Sequence, residues 1–395
     1  MSRRSWKATS ARSAASTELT PPDSTPSDST PSAPGARPVA FRRLLTQRLV
    51  GPPFDSPTDV VRSLLAVQAQ DYAGAKWAVG QRVAATTEAE LDRLFDAGAI
   101  LRTHVMRPTW HFVGPADIRW LLELTAPRVH QASAYQYRKL ELDEETVRAG
   151  RAVMERVLAG GIALTRNELG RAFAQAGIAA SGLRLGYLVS HAELERVVVS
   201  GPRRGRQQTY ALLEERVPPA RPRSRDEALA ELARRYVQGH GPAQVADLSW
   251  WSGLTMADSR AALGLATPPL HRETNDERAF WAAEPSSSPA VEIDRPAVHL
   301  LPNYDELLIA FRDRTDATDP GLPEAARVAE AILAHIVVRD GLVVGGWRRA
   351  EERGAMRLTI DLLVPLDPAE RTALDGAVER LRSFLGRPVQ VTGLD

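Results

Sequence analysis

The chain has 395 residues, 44% of them hydrophobic, and its formal net charge is +1. This length allows two or three domains with buried cores, and the near-neutral charge means that any nucleic-acid surface must be local. Cysteine is absent, which excludes disulfides, thiolate zinc sites, iron–sulfur clusters and a cysteine nucleophile.

The basic residues are strongly biased toward arginine, since Lys7, Lys76 and Lys139 are the only lysines among 50 Lys and Arg residues. This bias is typical of a GC-rich genome, so the abundance of arginine carries little functional information. No apolar run approaches the roughly 20 residues that cross a bilayer. The basic N-terminus is not followed by an apolar segment, so it is not a secretory signal. We therefore expect a cytoplasmic protein without membrane contact.

Residues 1–38 are dominated by Ser, Thr, Pro and Ala. They lack apolar periodicity and cannot offset the entropy of the chain by burial. We predict a disordered tail that lies outside the fold.

Residues 39–140 form the first predicted unit. Helices are predicted in FRRLLTQRLV, SPTDVVRSLLAVQ and TTEAELDRLFDAG, and ILRTHVMRPTWHFVG is typical of two strands around Arg107. Three helices followed by a β-hairpin is the element order of a winged helix.

Residues 141–224 repeat this order more clearly. Thr165 and Glu168 form a capping box at the start of one helix, a second helix follows, and VVVSGPRRGRQQTYALL indicates a hairpin. Its turn resembles a wing tip and carries three arginines that we interpret as phosphate contacts: Arg203, Arg204 and Arg206. An exposed arginine turn can also be merely solvated.

Residues 225–290 are predicted to form a third unit of short helices. Trp250 and Trp251 have the aromatic surface to stack on bases, but their helical spacing favours a place in the core. Residues 291–395 are rich in strand-like runs and end in a helix and a short strand. The predicted fold class is α+β, with three tandem winged-helix units and a C-terminal β-barrel-like mixed unit.

The common catalytic signatures are missing from the sequence. The eight histidines form no HExxH or comparable spacing, and there is no Walker A sequence, strand-linked GxGxxG or GxSxG elbow. We therefore expect no metal site and no cofactor.

A pair of glutamines stands out in LLAVQAQDY, because Gln68 continues the buried face of a predicted helix. In an α-helix Gln70 would lie about 200° around the axis from Gln68. In an extended chain residues two apart point the same way, so both amides would line one cavity if the helix ended at Val67. Spacing alone favours the alternative that Gln68 is buried and Gln70 faces solvent.

Five segments together resemble the AlkZ/YcaQ-type DNA glycosylases, a group of bacterial winged-helix DNA-binding proteins. The resemblance covers about residues 40–390, in order, through these segments: LLAVQAQDYAGAKWAVGQR, HVMRPTWHFVGPADIRWLLELTAPR, SWWSGL, LLPNYDELLIAFRDR and ILAHIVVRDGLVVGGWRR. It implies three winged-helix units around a DNA channel, a β-barrel-like element, and removal of N7-alkylguanine-type bases or interstrand crosslinks from double-stranded DNA.

The resemblance also implies that Gln68 and Gln70 are the catalytic residues, because Gln68-Ala69-Gln70 matches the family's Gln–aliphatic–Gln motif. Ala69 is small for the middle position, and Asp71 points to the opposite side of an extended segment. An N7-alkylated guanine is already cationic and leaves without a protonating acid, so the enzyme must chiefly position a water and stabilise the sugar cation. Amide oxygens can orient such a water.

The segment HVMRPTWH provides further candidates for the DNA cleft. Arg107 and His111 are expected to contact phosphate or lesion, with a solvated turn arginine as the alternative for Arg107. For Asp305 in LLPNYDELL we favour a structural role in capping or pairing.

The resulting hypothesis is a monomeric, monofunctional glycosylase that is cytoplasmic and nucleoid-associated and acts in DNA repair or resistance to a genotoxin. A non-catalytic winged-helix regulator is the alternative, although regulators normally dimerise to read two half-sites. A scaffold protein is a third possibility, but it leaves the two glutamines unexplained.

Overall fold

The computed structural model of the protein describes residues 30–31, 38–285, 296–319, 322, 334–352 and 354–393. Within these ranges the fold is α+β, with fourteen α-helices and fourteen β-strands in four sheets. Within the same ranges, no helix combines the length and the apolar character needed to cross a membrane.

The first part of the chain folds around a small three-stranded sheet of order β2-β4-β3. Its elements are α1 (Val39–Thr46), α2 (Pro57–Leu64), β2 (Ala66–Gln68), α3 (Tyr72–Gly80), α4 (Glu88–Asp96), β3 (Leu101–Val105), β4 (Arg107–Val113) and α5 (Ile118–Lys139). The Ser56 hydroxyl caps α2 by accepting from the Asp59 N–H, and Thr87 caps α4 in the same way. Sequence analysis missed β2 and α3.

The second part repeats this order: a helix, a short strand, two helices and a hairpin. Its elements are α6 (Glu144–Leu158), β5 (Leu164–Thr165), α7 (Arg166–Gln175), α8 (Gly182–Leu194), β6 (Val198–Ser200), β7 (Thr209–Leu212) and α9 (Leu213–Arg216). The capping box of Thr165 and Glu168 is present at the start of α7, which confirms that prediction.

The third part follows the same sequence of helices and hairpin. Its elements are α10 (Arg225–His240), α11 (Val245–Ser252), α12 (Met256–Leu265), β8 (His271–Asn275) and β9 (Arg278–Ala282). The short strand β1 (Thr30–Pro31) pairs in parallel with β8. These two residues are therefore not part of a disordered tail, whereas the prediction for residues 1–29 and 32–37 falls outside the described residues.

The C-terminal part is an open mixed sheet of order β10-β11-β12-β13-β14. Its elements are β10 (Val298–Leu301), α13 (Glu306–Ile309), a 3-10 turn (Thr315–Ala317), β11 (His335–Arg339), β12 (Leu342–Glu352), β13 (Ala355–Leu362), α14 (Pro368–Leu385) and β14 (Val389–Thr392). The expected barrel-like closure is wrong for the described residues, because their outermost strands β10 and β14 do not pair. Helix α14 crosses over one face and returns the chain to β14, which lies parallel to β13.

The parts share their hydrophobic cores. One core joins residues of α2, α3 and α4 to the C-terminal sheet and α14, and another joins β3, β4 and α5 to α10, α11 and α12. Helix α1, which we assigned to the first unit, packs instead on β10, α13 and β11. Residues of the segment between α2 and β4 consequently contribute to both of these cores.

Candidate functional site

The exit from α2 places the two glutamines. The helix ends at Leu64, and Leu65 has a positive φ of 66°, so the chain turns sharply and runs on as β2. Gln68 closes this strand opposite His111 of β4. The chain has left the α-helix at the glutamines, as a shared cavity for both amides requires, and the helix ends three residues before Val67.

Gln68 is held at both its side chain and its backbone. Nη2 of Arg107 donates to its Oε1 over 2.8 Å, and its backbone N–H donates to Oε1 of Glu306 over 2.7 Å. A guanidinium has only donors, so the amide oxygen must face Arg107 and the NH2 group must face away from it. Gln68 is 6% exposed, so the residue is almost entirely buried.

Gln70 is exposed and much less constrained. The backbone N–H of Trp110 donates to its Oε1 over a long 3.5 Å. Ala69, between the two glutamines, is fully buried and donates its N–H to the Trp110 carbonyl over 2.7 Å. Both amides thus lie against the first half of β4, one tightly fixed and one able to move. The small side chain at position 69 fits this buried place.

Asp71 does not join the pair. Its carboxylate caps α3 by accepting from the backbone N–H groups of Ala73 and Gly74, each over 3.1 Å. This agrees with the expectation that Asp71 points away from the glutamines.

Arg107 contacts Gln68 from the start of β4 rather than lying on an open turn. Burial lowers the pKa of its guanidinium, and the nearby charge of Glu306 raises it. The same guanidinium stands 5.8 Å from the ring of Trp250, and the guanidinium of Arg314 stands 5.4 Å from that ring. Arg107 therefore links Gln68 to Trp250 in one group of side chains.

His111 does not support the DNA contact that we expected of it. Its side chain is fully buried, and Nδ1 bonds to the Thr109 carbonyl over 3.0 Å. Burial and the charge of Arg107 lower its pKa to about 3, so the ring is neutral near pH 7. A side chain with no exposed surface cannot touch DNA in this conformation, because β4 turns it inward.

Glu306 is a site residue that sequence analysis missed. It is 0% exposed, accepts from the Gln68 backbone and the Trp251 Nε1–H, and lies 3.3 Å from Nε2 of His240. Burial alone raises the pKa of Glu306, but His240 and the Gln68 N–H lower it by more, so the carboxylate is ionised. The only signal in the sequence was an acidic residue, next to Asp305, directly before the apolar residues 307–311.

The neighbours of Glu306 have structural roles. Asp305 caps α13 and pairs with the buried Arg82 over 2.7 and 3.0 Å, which confirms the expected capping and pairing. Trp251 is fully buried, as we predicted, whereas Trp250 is 39% exposed.

Comparison with known proteins places the chain in a family. The sequence model of the family described as "DNA glycosylase AlkZ-like" matches residues 61–384. The chain belongs to this family. The match starts within α2, contains both glutamines, and leaves α1 outside.

A comparison by sequence and a comparison by structure each match this AlkZ-like chain over most of its length. The Streptomyces sahachiroi "Interstrand DNA cross-link repair glycosylase" is 26% identical over 360 residues, which cover 86% of this chain and 92% of that protein. The solved structure of the Streptomyces sahachiroi DNA glycosylase AlkZ has a TM-score of 0.68 at 22% identity, covering 89% of this chain and 98% of that one. The second likeness establishes a shared fold.

The arginines of the second hairpin differ in their surroundings in this AlkZ-like protein. Arg203 pairs with Asp96 and Asp92 of α4, each over 2.9 Å, so it fastens the turn to the first part of the chain. Arg204 pairs with Glu168 over 2.6 Å and remains largely exposed. Arg206 is exposed at the tip of the turn. The turn is therefore attached to α4 through Arg203, whereas Arg206 is exposed to solvent.

One group of side chains has the composition of a metal site. His130, His191 and Glu195 bring their ligand atoms within 4.8 Å of one another between α5 and the end of α8. Nδ1 of His130 bonds to the Tyr137 hydroxyl and Nε2 to Glu195, each over 2.9 Å. Both ring nitrogens of His130 thus have protein partners, which makes this group a hydrogen-bonded link between two helices.

Proposed function

We propose that this protein is a monofunctional DNA glycosylase that hydrolyses the N-glycosidic bond of N7-alkylguanine-type bases in double-stranded DNA. The observation that carries the proposal is the pair Gln68 and Gln70, placed by the exit from α2 against one strand. Membership of the AlkZ-like glycosylase family supports the reaction class.

The two glutamines have different tasks in this proposal. Gln70 has a weakly held Oε1, which is free to accept a hydrogen bond from water and orient it for attack. Gln68 has its oxygen fixed by Arg107, so it presents its NH2 group to an acceptor on the sugar or phosphate. An N7-alkylated guanine is a cationic leaving group, so the reaction needs no strong acid. Preorganised amide dipoles then stabilise the developing sugar cation.

A monofunctional reaction, with water as the nucleophile, agrees with the surroundings of the lysines. A lysine amine that attacks the sugar would need to be unpaired and to lie in the cleft. Among the described residues, Lys76 is buried and pairs with Glu88 and Asp92 over 2.9 and 2.8 Å. Lys139 is exposed at the end of α5.

The DNA would be held by three winged helices. The recurring order of helices and hairpin supports units at residues 39–140, 141–224 and 225–290, followed by the sheet at 291–395. The exposed hairpin arginines Arg204 and Arg206 supply phosphate contacts. One chain with three such units surrounds a single site as a monomer, and the protein acts where DNA is, at the nucleoid.

Interstrand crosslinks are a second substrate within the same chemistry. The Streptomyces relative is named for crosslink repair. Crosslinks that join two N7 positions present the same cationic leaving group on each strand, so one site would release both.

The function is tested with an oligonucleotide duplex that carries a single N7-methylguanine. We expect release of free N7-methylguanine, and strand breakage only after the abasic product is treated with alkali. A non-catalytic regulator would bind the duplex and release no base. Strand cleavage without alkali would contradict the monofunctional reaction while leaving glycosylase activity intact.

A further inference from the structure

We propose that Glu306 is a positioning residue of the glycosylase reaction, which sets the place of Gln68 through its backbone and adds negative charge behind it. This inference rests on the proposed function. It concerns a residue that does not touch the substrate and acts only through the glutamine and through its field.

The position of the carboxylate supports this role. Oε1 of Glu306 accepts the backbone N–H of Gln68 over 2.7 Å, at the open edge of β2. β4 pairs with the other edge of β2. On the open edge, Glu306 supplies the hydrogen-bond acceptor for the Gln68 N–H that a neighbouring strand would otherwise supply. Arg107 fixes the amide oxygen of Gln68 from the opposite end. The two contacts together define where the NH2 group points.

The burial of a charge here calls for an explanation. Burying a carboxylate with no exposure carries a large desolvation cost, which a neutral side chain of the same size would avoid. The partners of Glu306 are the backbone of Gln68, the Trp251 indole and His240, with Arg107 nearby. A fixed negative charge behind the catalytic strand favours a cation that develops in front of it.

A purely structural role is the competing explanation. Glu306 also accepts from Nε1 of Trp251 over 2.9 Å, and this contact ties α13 to α11. If Glu306 served only the core, loss of its contact with Gln68 or with Trp251 would lower the stability of the fold. Neither loss would change the rate at which the protein–DNA complex releases the base.

Three variants separate the two roles. Glu306→Gln keeps the length and removes the charge, and Glu306→Asp keeps the charge and withdraws it from the Gln68 N–H. Trp251→Phe is the matched control, because it removes the other hydrogen bond of the same carboxylate. Each folded variant is assayed with saturating enzyme on the N7-methylguanine duplex, below its melting temperature, for the single-turnover rate and for the Kd of the DNA.

We expect both Glu306 variants to lose on the order of 10-fold or more in rate with an unchanged Kd. We expect Trp251→Phe to stay within about 3-fold of the wild-type rate, although its melting temperature falls. A folded Glu306 variant with the wild-type rate overturns the inference, as does an equal loss in Trp251→Phe. If Glu306→Gln does not fold, the single-turnover rate of Glu306→Asp tests the inference. A wild-type protein that releases no N7-methylguanine refutes the proposed function itself, and the role of Glu306 falls with it.

Discussion

Arg107 donates from Nη2 to Oε1 of Gln68 over 2.8 Å, which joins the start of β4 to the end of β2. The guanidinium lies mostly under the surface, and burial lowers its pKa. This contact makes Arg107 part of the support of Gln68. A residue that orients a catalytic amide affects the rate, whereas one that only contacts phosphate affects the salt dependence of binding.

The first prediction separates these two roles. We expect Arg107→Ala to lower the single-turnover release of N7-methylguanine by about 10-fold or more, because the Gln68 amide is then free to turn. The slope of log Kd against log salt should stay as in the wild type. Exposed Arg148→Ala on α6 is the control. A normal rate with a slope reduced by about 1 would instead identify Arg107 as a phosphate contact.

The second prediction concerns the second hairpin. We expect Arg206→Ala to reduce the salt slope of DNA binding by about 1 and to leave the melting temperature unchanged, because Arg206 is exposed. Arg203→Ala should lower the melting temperature and leave the salt slope unchanged, since Arg203 pairs with Asp96 and Asp92 of α4. Fluorescence anisotropy over a salt series and thermal melting measure the two effects. A shift in melting temperature from Arg206→Ala would refute this division of roles.

The third prediction contrasts Asp305 with its neighbour Glu306. Asp305 pairs with Arg82 where both side chains are fully or almost fully buried. Loss of one partner of a buried ion pair leaves the other charge unpaired, at a cost of about 3–5 kcal/mol. We expect Asp305→Ala to lower the free energy of unfolding by this amount in urea titrations. The fraction of the variant that is folded and bound to DNA should release the base at the wild-type rate. A stable variant with a reduced rate would contradict the structural role.

The fourth prediction is a loss of stability in acid. Burial lowers the pKa of His299 to about 3, as it does for His111, against 6.5 in the unfolded chain. Between these pH values the unfolded chain binds the protons and the folded protein does not, so the free energy of unfolding falls as the pH falls below 6.5. One such histidine contributes about 2 kcal/mol of this loss between pH 6.5 and pH 5.

Unfolding in urea at pH 7.5, 6.5, 5.5 and 5.0 measures this loss. We expect His299→Gln to show a shallower decline than the wild type, because one titrating group has been removed. His271→Gln, at an exposed histidine on β8, is the control and should keep the wild-type slope. Equal slopes for all three proteins would show that His299 is not buried in the neutral form.

Much of the local structure was predictable from short-range chemistry. The capping box at Thr165 and Glu168 and the burial of Trp251 follow from residue type and spacing. The end of α2 was predicted only approximately, because Leu65 adopts its positive φ under tertiary packing rather than from any turn signal. Strand β2 was missed because its three residues continue an apolar helical pattern.

Only part of the candidate site could be predicted from the sequence. Gln68 and Gln70 stand two apart, and an extended segment makes neighbours of such residues. Glu306 lies 238 positions from Gln68, and no local pattern connects a strand edge to a carboxylate in a distant helix. His111 misled us because a histidine in a polar segment resembles a surface ligand, whereas the alternation of β4 turns it inward.

The central claim is that Gln68 and Gln70 carry the excision of a cationic base. The most direct test is single-turnover release of N7-methylguanine by the wild type, Gln68→Ala and Gln70→Ala, with exposed Gln131→Ala on α5 as the control. We predict a rate about 100-fold lower for each of the two site variants, with retained DNA binding, and a normal rate for the control. Wild-type rates in both site variants would contradict the account.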